Sequence, residues 1–191
     1  VELHLTNRSA FGGTHMMPAV SRDDPAFGDN VYWRGRIWPP LNFITYHGLR
    51  RYGFDEAATL LAESSYQTFM TNWRHDRICG ENFNADSGRA DDQPDTDKFY
   101  TWGALMAYLA VAELSDVNPW QGWTMTHSGS ETLDLGPFRC PAGAARMEAD
   151  GEWLTLHIDG APRLRTNATG RWTNLVLETA SLTATVPVGA G

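Results

Sequence analysis

"FYTWGALMAYLAVAEL", residues 99–114, is apolar on nearly every side when wound as a helix. A helix with no polar face has to be surrounded by neighbours. The sequence ahead of it supplies two. Pro39 and Pro40 mark a helix start, because proline presets the first-turn backbone angle and needs no N–H partner there. "LNFITYHGLRRYG" then runs to Gly53, a C-terminal cap, with Arg50 and Arg51 near the negative end of the helix dipole. "FDEAATLLAESSYQTFMTNW" carries apolar residues at 54, 57, 58, 61, 62, 66, 69 and 73, with Glu56, Glu63, Gln67 and Thr71 facing outward. That is the stripe of an amphipathic helix. One short helix and one amphipathic helix cannot enclose a third, so the pattern predicts a piece of a larger helical assembly.

Beyond residue 118 the character changes. "AARMEADGEWLTLHIDG" alternates around an Asp150-Gly151 turn, and "WTNLVLETASLTATVPV" is β-branched and strand-like. Residues 119–191 are therefore expected to form a small β-rich accessory module. Residues 1–31 lack periodicity and read as a long loop or extended lead-in. The acidic run "DDQPDTD" lacks the spacing and glycine of a calcium-binding loop and reads as a solvated loop. No internal repeat is present. Asn7 and Asn167 sit in Asn-x-Ser/Thr tripeptides, which also arise by chance.

The net charge of −8 argues against a nucleic-acid partner, which would call for a basic stripe. Two cysteines, Cys79 and Cys140, cannot make a disulfide framework, and the six histidines show no metal-ligand spacing. No cofactor or metal is expected. There is no signal peptide and no apolar run of about 18 residues, so no membrane partner is expected. A soluble protein is the reading, the cytoplasm slightly favoured and the compartment open. The chain opens at Val1, so its natural start is not fixed by this sequence.

Three stretches carry the candidate chemistry: "YWRGRIWPP" (32–40), "GENFNADSG" (80–88) and "FYTW" (99–102). If helices alternate inward and outward, all three fall at one rim, where the chain enters an inner helix. Tyr32, Trp33, Arg34, Trp38, Glu81, Asn82, Tyr100 and Trp102 would then combine aromatic walls with one carboxylate, the composition of a sugar site. Each residue also has a plainer reading: Trp38 and Trp102 as packing between helices, Arg34 as a helix cap, Glu81 as a loop carboxylate.

Taken in order, "YWRGRIWPPLNFITYHGLRRYGFDEA", "ENFNADSG" and "FYTWGAL" resemble the closing section of the catalytic barrel in glycoside hydrolase family 63 and its mannosylglycerate-hydrolase-like relatives, with trehalases as more distant kin. The resemblance covers roughly residues 11–114. It implies a mainly α fold with a β tail: the closing helices of a partial (α/α)6 toroid over residues 1–118, followed by the β module. It further implies an inverting hydrolase of α-glucosides or related small glycosides. In it Glu81 matches the general base, and Tyr32, Trp33, Arg34, Gly35, Trp38, Asn42, Asn82, Tyr100 and Trp102 match substrate-site positions. Thr101 stands where many relatives have histidine, and Phe83 where they have tyrosine.

The family's general acid is an aspartate far upstream, and nothing before Glu81 matches that segment; Asp23 and Asp24 belong to the local lead-in. Inversion needs a carboxyl group on each side of the scissile bond. By this reading the chain carries the base without the acid, is inactive alone, and expects a missing part of the barrel or another chain as partner. Two alternatives stay open: a non-catalytic carbohydrate-binding or interaction fragment, and another (α/α)6 enzyme such as a rhamnosidase.

Overall fold

The computed structural model describes residues 2–118, 122–140 and 142–175. The chain divides into two compact units, Val1–Val111 and Ala112–Gly191.

The first unit is built on a helical hairpin, α2 (Pro39–Arg51) and α3 (Asp55–Asp76), preceded by a one-turn helix α1 (Glu2–Thr6). Pro39 opens α2, and Arg50 and Arg51 close it as the sequence predicts. The buried face of α3 holds Ala57, Ala58, Leu61, Ala62 and Phe69, but also Ser65, Thr68 and Asn72. Asn72 holds the 88–90 segment, donating to the Gly88 carbonyl and accepting from Ala90 N; the others, together with Ser64, have a purpose that apolar periodicity cannot reveal. The lead-in has backbone groups that need partners once covered. Ser64 Oγ accepts from Met16 N and donates to the Thr14 carbonyl, and Thr68 Oγ1 meets His15 Nδ1 at 2.8 Å. Asn42 of α2 donates to the Met16 carbonyl and to Ser65. The lead-in is thus strapped along the hairpin, with Ala10 and Met16 buried.

The expected toroid section is not formed. Among the described residues four α-helices stand beside nine strands in three antiparallel sheets, so the class is α+β rather than mainly α. The stretch that led to the expectation explains the difference. Residues 101–103 form a 3₁₀ turn, and α4 (Ala104–Leu114) begins only at Ala104. Met106, Leu109 and Ala112 make its buried stripe, continuing from Gly103 of the turn, while Ala104 and Val111 are exposed. Met106 shares a buried apolar cluster with Ile37, Phe69, Ile78, Cys79, Phe83, Ala85 and Ala90. Most of that cluster comes from loops and from two short strands, β1 (Arg36–Ile37) and β2 (Phe83–Asn84), which pair antiparallel. Apolar residues on irregular chain do the work assigned in the sequence to further helices.

The second unit has a three-stranded sheet in the order β3 (Ser115–Asn118), β4 (Gly122–His127), β9 (Gly170–Leu175). A four-stranded meander follows: β5 (Thr132–Cys140), β6 (Gly143–Asp150), β7 (Leu154–Ile158) and β8 (Ala161–Thr166). Burial alternates along β4 and β7, as one-sided packing requires. Trp123 and Met125 of β4 share a core with Met147, Leu154, Leu156 and Leu164 of the meander. The β6–β7 turn is where "ADGEW" predicts it, with Asp150 Oδ1 accepting from the N–H groups of Glu152 and Trp153. Most of "WTNLVLETASLTATVPV" lies outside the described residues. Among those described, no helix is long and apolar enough to cross a membrane.

Candidate active site

Backbone pairing, rather than helix ends, joins the three motifs. Residue Arg36 lies opposite Asn84 and Ile37 opposite Phe83, so "YWRGRIW" and "ENFN" run side by side. Next to them, Cys79 N donates to the Lys98 carbonyl, Glu81 N to Asp97, and Tyr100 N to Cys79. That second seam draws "FYTW" against "GEN". It is tight: a Cβ on Gly103 would stand 2.5 Å from the Gly80 carbonyl oxygen. Only a glycine lets these two chain segments approach so closely.

The aromatic side chains meet accordingly. Trp38 is fully buried, stacked on Trp33 with ring centroids 3.8 Å apart, and edge-on to Tyr32 at 5.0 Å and to Trp102 at 5.8 Å. Its indole N–H donates to the Tyr32 carbonyl at 2.9 Å. Tyr100 lies 4.3 Å from Trp102. The Trp102 indole N–H donates to the Glu81 carbonyl at 2.7 Å. Tyr32, Trp33 and Tyr100 leave 55%, 43% and 37% of their surface to solvent, so the cluster has a buried floor and an open aromatic face.

A tight turn at Val31–Arg34, closed by two backbone hydrogen bonds, throws Tyr32 and Trp33 outward. Tyr32 has φ +50°, an uncommon conformation for a bulky residue, and Gly35 has φ +91°. A side chain on Gly35 would run into the Phe27 carbonyl oxygen. Gly35 therefore closes the turn. Arg34 is exposed and pairs with Asp29 at 3.1 Å.

Two predicted members lie elsewhere than on the open face. Asn42 is wholly buried between α2, α3 and the lead-in, strapping chain together. Asn82 is 1% exposed, and its side-chain oxygen accepts from Arg36 Nε and from Thr96 Oγ1. Its amide nitrogen is 3.5 Å from Glu81 Oε2.

Sequence reading passed over Arg36 and Asp92. Arg36 is 1% exposed, a rare place for a guanidinium unless it is paired. It reaches both Asp92 oxygens, at 2.8 and 3.1 Å, and Asn30 Oδ1 at 3.1 Å. Asn84 and Asn30 also donate to Asp92. Partial burial opposes the charge on Asp92, but the hydrogen bonds from Arg36, Asn84 and Asn30 and the Arg36 charge outweigh it, holding its carboxyl at about 2. The acidic run expected to be a solvated loop is therefore tied down at Asp92, and at Thr96, which is buried. An arginine at an inward position of a short strand was the available signal.

Aromatic rings and a carboxylate-bearing loop are thus brought together by the 32–38, 81–82 and 100–102 stretches. The sequence model for the mannosylglycerate hydrolase MGH1-like glycoside hydrolase domain matches residues 1–103, more than half of the 191-residue chain, and the chain belongs to that family. Mannosylglycerate hydrolase MGH1 of Selaginella moellendorffii is 37% identical over 51 residues, 27% of this chain and 10% of the relative. Mannosylglycerate hydrolase of Rubrobacter radiotolerans is 40% identical over 50 residues, 25% of this chain and 11% of the relative. The match thus spans about a tenth of the length of these curated relatives. The crystal structure of an uncharacterized conserved protein from Thermus thermophilus aligns with a TM-score of 0.43 at 22% identity, over 54% of this chain and 23% of that one.

Proposed function

We propose that the 32–38, 81–82 and 100–102 stretches form part of the substrate site of an inverting glycoside hydrolase, with Glu81 as general base. The supporting observation is the double seam that joins the three stretches, with the Trp102 indole donating to the Glu81 carbonyl and packing against Trp38 and Tyr100. A sugar would lie against Tyr32, Trp33 and Tyr100. Glu81 would take a proton from a water attacking the anomeric carbon on the face opposite the leaving group. The resemblance to family 63 supports inversion and a substrate class of α-glucosides or related small glycosides. The mannosylglycerate hydrolases among the relatives add α-mannosides of glycerate to that class. The general acid is assigned to no residue of this chain.

Glu81→Gln in the natural polypeptide that carries these residues tests the reading. The amide keeps the shape but accepts no proton, and base catalysis is worth about 10²- to 10⁴-fold. The expected result is a kcat at least 10²-fold lower by that range, with sugar binding and melting temperature retained. Near-normal turnover, or a product of retained configuration, removes Glu81 from the role. Loss of binding with no change in kcat would instead favour a binding surface.

A further inference from the structure

We infer that Asn82 is a positioning residue for Glu81, held in register by the buried Arg36, itself paired with Asp92; the inference rests on Glu81 being the base. The orientation of the Asn82 amide follows from its neighbours. Arg36 Nε–H can only donate, and Thr96 Oγ1 donates at 3.3 Å on the same side, so the side-chain oxygen must face them. The NH₂ group is thereby turned toward Glu81 Oε2, 3.5 Å away. That is long for a hydrogen bond, as catalytic contacts often are before substrate tightens them.

Arg36 can fix Asn82 because Arg36 itself cannot move. Asp92 takes two of its N–H groups, Asn30 Oδ1 takes one, and the side chain is 1% exposed. Asp92 is fixed in turn by Asn84 at 2.7 Å and Asn30 at 3.2 Å. The strand pair sets the spacing, since Arg36 and Asn84 lie opposite each other in register. Among the described residues Glu81 is tethered through its backbone, by Asp97 and Trp102, and its carboxylate has Asn82 as its side-chain neighbour for a fixed direction. A base aimed at one water benefits from that, because misplacing a reacting group by about 1 Å can cost about 10²-fold.

Asn82→Asp separates aiming from structure. It keeps an oxygen for Arg36 and Thr96 but replaces the donor facing Glu81 with a second carboxylate oxygen. The probes are α-D-glucosyl fluoride and α-D-mannosyl fluoride, whichever is turned over faster by the natural polypeptide. Water oxygen bonds to the anomeric carbon, the C–F bond breaks, fluoride leaves with the electron pair, and Glu81 takes the water proton. No general acid is required. The expected result for Asn82→Asp is a kcat lower by about 10- to 100-fold, from the misplacement cost, with KM within about twofold and an undiminished melting temperature. Arg36→Lys, which keeps a charge for Asp92 but loses the Nε–H fork, should show the same split between kcat and KM. It stands as the test should Asn82→Asp prove unstable.

The deciding arm uses Glu81→Ala with azide, which attacks the same carbon without a base and yields the inverted glycosyl azide. Adding Arg36→Lys, which brings no new anion against azide, to that background should lower the azide rate less than about twofold, because the group being aimed is gone. A loss as large as in the wild-type background overturns the inference, since Asn82 would then act on sugar or fold directly. So does wild-type kcat in Asn82→Asp when Glu81→Gln is inactive. Near-normal kcat in Glu81→Gln strikes the base assignment itself, a result the other two cannot mimic.

Discussion

Asp92→Asn should remove a pH-dependent part of the stability of this protein, of a size that the structure sets. The ordinary aspartate value is 3.8 and Asp92 sits at about 2, with Arg36, Asn84 and Asn30 favouring its charge against partial burial. At about 1.36 kcal/mol per pH unit that gap has an upper bound of about 2 kcal/mol, and solvent screening at the partly exposed Asp92 reduces it to about 1 kcal/mol. The sign follows from the depressed folded value. The stabilisation is fully present above pH 4, falls as the pH drops toward 2, and is nearly gone there. Urea unfolding followed by tryptophan fluorescence, at pH 7, 5, 3 and 2, reads this as the difference between wild type and variant. At pH 7 the variant should be less stable by more than about 1 kcal/mol, because it also leaves Arg36 buried without a counter-charge. Between pH 5 and 2 the difference should shrink by about 1 kcal/mol. Glu131 is also held at about 2, by hydrogen bonds from Ser128, His127 and backbone that overcome its partial burial, but it is present in both proteins and cancels. A difference that stays constant from pH 5 to 2 would refute the pairing of Asp92 with Arg36.

Trp38→Ala should cost about 3–5 kcal/mol, the range for deleting a buried tryptophan, and should also weaken sugar binding as Trp33 loses its stacking partner; thermal melting and titration with substrate check the two effects. Gly103→Ala forces a methyl against the Gly80 carbonyl and should cost about 1–3 kcal/mol through overpacking, with lower turnover as Trp102 is pushed from Glu81. The 191-residue chain by itself should hydrolyse no aryl α-glucoside or mannosylglycerate measurably, since no residue in it is assigned as acid; turnover abolished by Glu81→Gln would contradict this.

Local rules in the sequence placed α2 and most of α3 correctly, because proline, glycine and apolar periodicity act within a few residues of where they stand. The alternating strands around Asp150 and Gly151 were legible for the same reason. The sequence also expected the three motifs to meet, and backbone pairing does bring them together. The route by which the motifs meet was not legible. It depends on two-residue strands, Arg36–Ile37 and Phe83–Asn84, too short to leave a periodic signal, and on a seam of backbone hydrogen bonds between residues 79–81 and 97–100. The apolar run at 99–114 states that cover is needed without stating what supplies it, so irregular chain could stand where helices were expected. The burial of Asn82 and Arg36 was not legible either: a polar side chain taken from water must find partners inside, and which partners are in reach is decided only when the distant segments of the chain come together.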